Sequence, residues 1–165
     1  MKFQGIQINP PEPKVLVIPH NGIDVVFQAQ HVDDYSAFDE LVPKPIPVKV
    51  RSADGTEKID FDDKAYQKEV DDWSNKRSNW MFIKSLEVSK GIEWDIIDMK
   101  KPDTWLKFDQ ELSNAGFNGP VIERVKMLCF QACGLDQSMI DEATERFLAG
   151  RAQESNSETS QDSEQ

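Results

Sequence analysis

No apolar run in this sequence approaches the roughly 20 residues that a membrane-spanning helix needs. Cysteine is nearly absent, with Cys129 and Cys133 the only two. On a helix, their spacing of four sets the Cα atoms roughly 6 Å apart with parallel Cβ directions, which suits reduced core thiols better than a disulfide. A reducing compartment follows. Histidine is as scarce: His20 and His31 lie about a hundred residues from the cysteines, and no CxxC pair supplies a metal-ligand spacing. Positive charge is also short, with 19 basic residues against 30 acidic ones and a net charge of -11. The residues after Gly150 contribute one arginine against four carboxylates, so about -8 remains on the body. That balance excludes nonspecific binding to nucleic acid or to an anionic membrane. Met1 to Gly5 carries no apolar segment of the secretory type, so a cytosolic protein is expected.

Catalytic motifs are missing too. The chain has no GxSxG, HExxH, GxGxxG or Walker loop, and a nucleophile would have to find one of the two histidines across the fold. The acidic run Asp60, Asp62, Asp63 lacks the glycine and glutamate of a calcium-binding EF-hand loop, having Ala65 and Asp71 there. No enzyme, cofactor or metal site is expected.

What is present is an α+β pattern, with N-terminal β-hairpins, a long central helix and a C-terminal block of three short helices. Residues 1 to 13 end in Asn9-Pro10-Pro11-Glu12-Pro13 and read as an extended lead-in. Residues 14–150 read as a single domain, hairpin-rich over 14–61 and helical over 62–150. Lys14 to Pro19 and Ile23 to Val32 flank His20-Asn21-Gly22, a strong hairpin turn. A short helix over Tyr35 to Leu41 precedes Pro43, Pro45 and Pro47, a stiff connector. Val48 to Arg51 and Thr56 to Ile59 form a second hairpin around Asp54-Gly55, polar enough on both faces to protrude. Helical spacing runs from Asp62 to about Leu86, and Glu87 to Asp98 fits either a short strand or an irregular buried segment.

The C-terminal block carries the clearest signals. Its first helix opens at Pro102-Asp103, with Asp103 as cap, and ends at Gly116; its second follows Asn118-Gly119-Pro120 and ends at Gly134. Val121, Ile122, Val125, Leu128, Cys129 and Ala132 give the second a core face. The third starts at Asp136, with Leu135 and Ile140 spaced as a hydrophobic staple, and runs to Gly150. Residues 151–165 hold no large apolar side chain and read as a disordered acidic tail.

Of the four tryptophans, Trp73 and Trp80 lie seven apart on one helix and so face one neighbour. Core burial accounts for tryptophan at such spacing, but the residue is also enriched at binding hot spots. Trp73, Trp80, Trp105 and Phe117 are therefore the candidate partner-binding residues.

The segments Asp103-Thr104-Trp105, Ala115-Gly116-Phe117, Val121-Ile122-Glu123-Arg124, Gly134-Leu135-Asp136 and Arg146-Phe147-Leu148-Ala149-Gly150 together resemble the C-terminal half of tail assembly chaperones from tailed bacteriophages with long noncontractile tails. The Val15-Leu16-Val17-Ile18-Pro19 hairpin, the Tyr35-Ser36-Ala37-Phe38 helix and Asn79-Trp80 are similar in order to that family. The resemblance implies a noncatalytic protein of the host cytoplasm that keeps the tape measure protein soluble, helps recruit tail tube protein and is absent from the virion. It carries no catalytic residues over. A structural phage tail protein and an acidic inhibitor of a basic host protein are the alternatives, and a homo-oligomer is left open.

Overall fold

Asn21 and Gly22 both adopt positive φ, 48° and 82°, the geometry that a two-residue hairpin turn requires. The computed structural model describes residues 2–9, 11–52 and 55–159. Around that turn, β3 (Lys14–His20) and β4 (Ile23–Ala29) pair antiparallel, with Leu16 opposite Phe27 and Ile18 opposite Val25. This face turns inward, burying Ile18, Phe27 and Ala29, while Val15, Val17 and Val26 on the other face are exposed. Ahead of it, where the sequence suggested only an extended lead-in, β1 (Lys2–Phe3) and β2 (Ile6–Gln7) form a minimal antiparallel pair. The left-handed Gln4-Gly5 turn, φ 49° and 81°, makes that pair possible.

After α1 (Ser36–Leu41), which buries Phe38, the proline series leads into β5 (Val48–Arg51) and β6 (Glu57–Asp60). Every residue of these two strands is exposed except Asp60, which is half-buried, as expected of a protruding ribbon. Asp63 caps α2 (Lys64–Ser85) by accepting the Tyr66 N–H at 2.8 Å. Only the C-terminal end of α2 is deeply buried, through Trp80, Met81, Phe82, Ile83 and Ser85. A single 3-10 turn, Leu86–Val88, follows.

The stretch that could have been strand or irregular is irregular, and it is held by side chains. Glu111 accepts the N–H groups of Asp95 and Ile96 at 2.7 and 2.9 Å, and Thr104 Oγ1 accepts that of Asp98 at 3.0 Å. The first helix of the C-terminal block is two, α3 (Pro102–Trp105) and α4 (Phe108–Asn114). At the break the Lys107 N–H bonds Thr104 O three residues back, a local tightening that leaves both Trp105 and Phe108 fully buried. Asp103 is not the cap, a position held by Lys101; it lies in the first turn and pairs with Lys76 at 2.9 Å. In α5 (Gly119–Ala132) Asn118 accepts the Val121 N–H at 3.1 Å, and Ile122, Val125, Leu128, Cys129 and Ala132 form the buried stripe. The helix α6 (Gln137–Thr159) does not stop at Gly150 but continues through residues assigned to the tail; one interior glycine costs a helix only about 1 kcal/mol. The rest of that tail, residues 160–165, lies outside the described residues.

The fold class is α+β, as the sequence indicated. Two compact units divide between Cys133 and Gly134, ahead of the Gly150 boundary drawn from the sequence. Within the first unit α5 packs on β3, β4 and α2, and the 3-10 turn lies against β4. No helix among the described residues is long and apolar enough to cross a membrane.

Candidate functional site

Three of the four candidate anchors from the sequence meet at one residue. Phe38 places its ring centroid 5.8 Å from Trp73, 5.8 Å from Trp80 and 5.9 Å from Trp105. Trp80 and Trp105 are core residues, 2% and 0% exposed, so they offer a partner no surface. Core burial accounts for both: they fill the first unit. Trp105 also spends its indole N–H on Asp98 O, at 3.1 Å. Phe117 lies apart from this cluster, 9% exposed, against His20 at 4.6 Å and Phe27 at 5.5 Å.

Trp73 alone of the four is half-buried. Its indole N–H donates to Val42 O at 3.2 Å, and the Arg77 guanidinium lies 5.3 Å from its ring and 4.4 Å from that of Tyr35. Burial raises the Tyr35 hydroxyl above its ordinary pKa, more than the nearby Arg77 charge lowers it. The arrangement is a supported aromatic edge, with Lys44 Nζ also 6.0 Å from the Trp73 ring.

Nucleophilic chemistry has little to work with here. Burial pushes the Cys129 thiol up to about 12 and raises that of Cys133, so neither forms the thiolate that reacts or binds metal near neutral pH. Both are free and buried. Among the described residues no group of three or more His, Cys, Asp or Glu side chains converges as a metal site.

Apolar surface is the more prominent feature, and the aromatic counting that singled out tryptophans passes over it. In the second unit α6 carries Met139, Ile140 and Phe147, exposed at 50%, 45% and 63%, with Ala143 between them. At 100° per residue these four fall within an arc of about 100°, the width of a packing face. Asp141, Glu142 and Glu145 occupy other directions, and the helix starts where Asp136 accepts the Ser138 N–H at 3.1 Å. Leu135, expected from the sequence to staple against Ile140, is exposed at 54%. In the first unit the β5–β6 ribbon shows a second run, Val48 and Val50 on alternate positions of β5 with Ile46 two residues ahead of it, exposed at 43%, 46% and 84%. Binary patterning could have found both, since each is a periodic apolar stripe.

A cavity of about 320 Å³ opens between the end of the β3–β4 hairpin, the 91–95 segment and the end of α4. His20, at the hairpin turn, sits with Nε2 3.1 Å from Ala115 O. Gly116 permits this approach: its φ is +91°, and a Cβ there would meet the His20 ring at 3.1 Å.

No family model, no curated protein and no solved structure matches the chain.

Proposed function

We propose that the chain is a noncatalytic assembly chaperone of a phage with a long noncontractile tail. In this reading it keeps the tape measure protein soluble in the host cytoplasm and helps recruit tail tube subunits. The partner's identity rests on the resemblance carried by residues 103–150. The observation that carries the mode of action is the exposed apolar face of α6, Met139, Ile140, Ala143 and Phe147.

A tape measure is a long helical chain whose apolar stripes stay uncovered until the tube closes around it. A helix presenting a narrow apolar face with carboxylates beside it covers such a stripe reversibly, by side-by-side packing. Contact therefore moves from the tryptophans to α6, and the acidic surface keeps the complex dispersed. Binding driven by apolar burial persists at high salt, whereas binding of an acidic inhibitor to a basic protein is screened away. Co-purification of the tape measure protein at low and high salt tests this: retention at both supports the chaperone, and loss at high salt overturns it.

A second reading, a structural tail subunit, is favoured by the protruding β5–β6 ribbon, because isolated two-stranded hairpins are marginal in water and gain from being covered. Mass spectrometry of purified particles separates the two. A chaperone is absent from the virion, and a subunit is present in fixed copy number.

A further inference from the structure

We propose that the cavity between the β3–β4 hairpin, the 91–95 segment and α4 is a binding site for a small arylalkylammonium ligand. The inference is independent of the chaperone reading. Its lining is mixed, with the aromatic rings of Phe27, Trp94 and Phe117 and the aliphatic Val25, Ile92 and Leu112 beside polar groups, and its volume of about 320 Å³ lies at the lower end of small-molecule pockets. Charge decides the rest. The lining includes three carboxylates, Glu93, Asp95 and Glu111, and neither lysine nor arginine.

The three carboxylates differ in availability. Glu111 is 9% exposed, and its two oxygens accept the Asp95 and Ile96 N–H groups, so it fixes the wall. Glu93 and Asp95 are exposed at the rim and appear in no ion pair among the described residues. An aromatic ring seated among Phe27, Trp94 and Phe117 puts an ammonium on a two-carbon tether within reach of that rim, where indole and phenyl faces also favour a cation. An anion of the same shape meets the carboxylates instead. The site is partly preformed, because Glu111 holds the 95–96 backbone and the His20–Ala115 contact holds the opposite side.

The test is a titration of the full chain followed by amide chemical shifts, with phenethylammonium as probe and phenylacetate as its oppositely charged counterpart. Phenethylammonium is expected to move the amides of Gly91 to Asp95 and Ala115 to Phe117, and phenylacetate to leave them in place. Glu93→Gln with Asp95→Asn, both exposed and hence neutral to folding, should weaken the cation by about fivefold. Ile92→Trp, which fills the cavity, should abolish the shifts, with its thermal unfolding compared to wild type. Equal response to both probes, shifts elsewhere on the chain, or unchanged binding in the rim variant would each overturn the proposal.

Discussion

Ser85 and Gln30 exchange two hydrogen bonds: the Gln30 N–H donates to Ser85 O at 2.9 Å, and Ser85 Oγ donates to Gln30 O at 2.7 Å. One turn on, Ser89 Oγ accepts the Gln28 N–H and donates to Gln28 O, both at 2.7 Å. The two serines, four residues apart at the end of α2 and just beyond it, thus act as a third strand along the open edge of β4. An otherwise unpaired edge is closed by side chains.

Replacing Ser85, itself fully buried, by alanine removes the hydroxyl donor to Gln30 O and leaves that carbonyl only the weak Cys133 Sγ donor at 4.0 Å, at an expected cost of about 1–3 kcal/mol. Urea denaturation of Ser85→Ala and Ser89→Ala measures it, and Ser85→Ala should cost more because Ser85 is the more deeply buried. Faster exchange of the Gln28 and Gln30 amides should accompany the loss.

Phe38 is the hub of the tryptophan cluster and is 0% exposed. Phe38→Ala should destabilise the chain by about 3–5 kcal/mol, since three rings lose their common neighbour. Trp73→Ala, at the half-buried margin, should cost clearly less. Paired chemical denaturation curves decide between this ordering and one in which Trp73 is structural.

Glu111 carries the irregular 95–96 segment on one carboxylate. Glu111→Ala leaves two N–H groups without acceptors and is expected to cost about 1–3 kcal/mol. Hydrogen exchange at Asp95 and Ile96 should rise well before that elsewhere in the core.

Cys129 gives a pH signature. Its thiol ionises near 9.0 when unfolded and at about 12 in the fold. Between these values the folded state holds a proton that the unfolded state has released, so stability present below pH 9 falls as pH rises toward 12. Iodoacetamide at mildly alkaline pH should accordingly leave Cys129 unmodified in the native chain and label it in denaturant.

Elements with local signals were legible in the sequence. Asn21-Gly22 and Asn118 each set a turn or cap through their own backbone or side chain, and β3, β4 and α5 begin or end where those residues place them. Long-range partners were not. The split between α3 and α4 depends on packing both Trp105 and Phe108, and the 89–101 segment depends on Glu111 and Thr104 far along the chain. The candidate site suffered the same blindness. Spacing identifies an apolar stripe but not how deeply it is buried, so Trp80 and Trp105 are enclosed in the core while Ile140 and Phe147 on α6 are exposed.

The most direct measurement of the chaperone account is the soluble yield of the tape measure protein expressed with this chain, beside the same experiment with an Ile140→Asp, Phe147→Asp variant. Both positions are exposed, and thermal unfolding of the variant beside wild type separates a lost contact from a lost fold. Wild type is predicted to raise the soluble yield and the variant to lose that effect. No rescue by wild type, or equal rescue by the variant, would contradict the account.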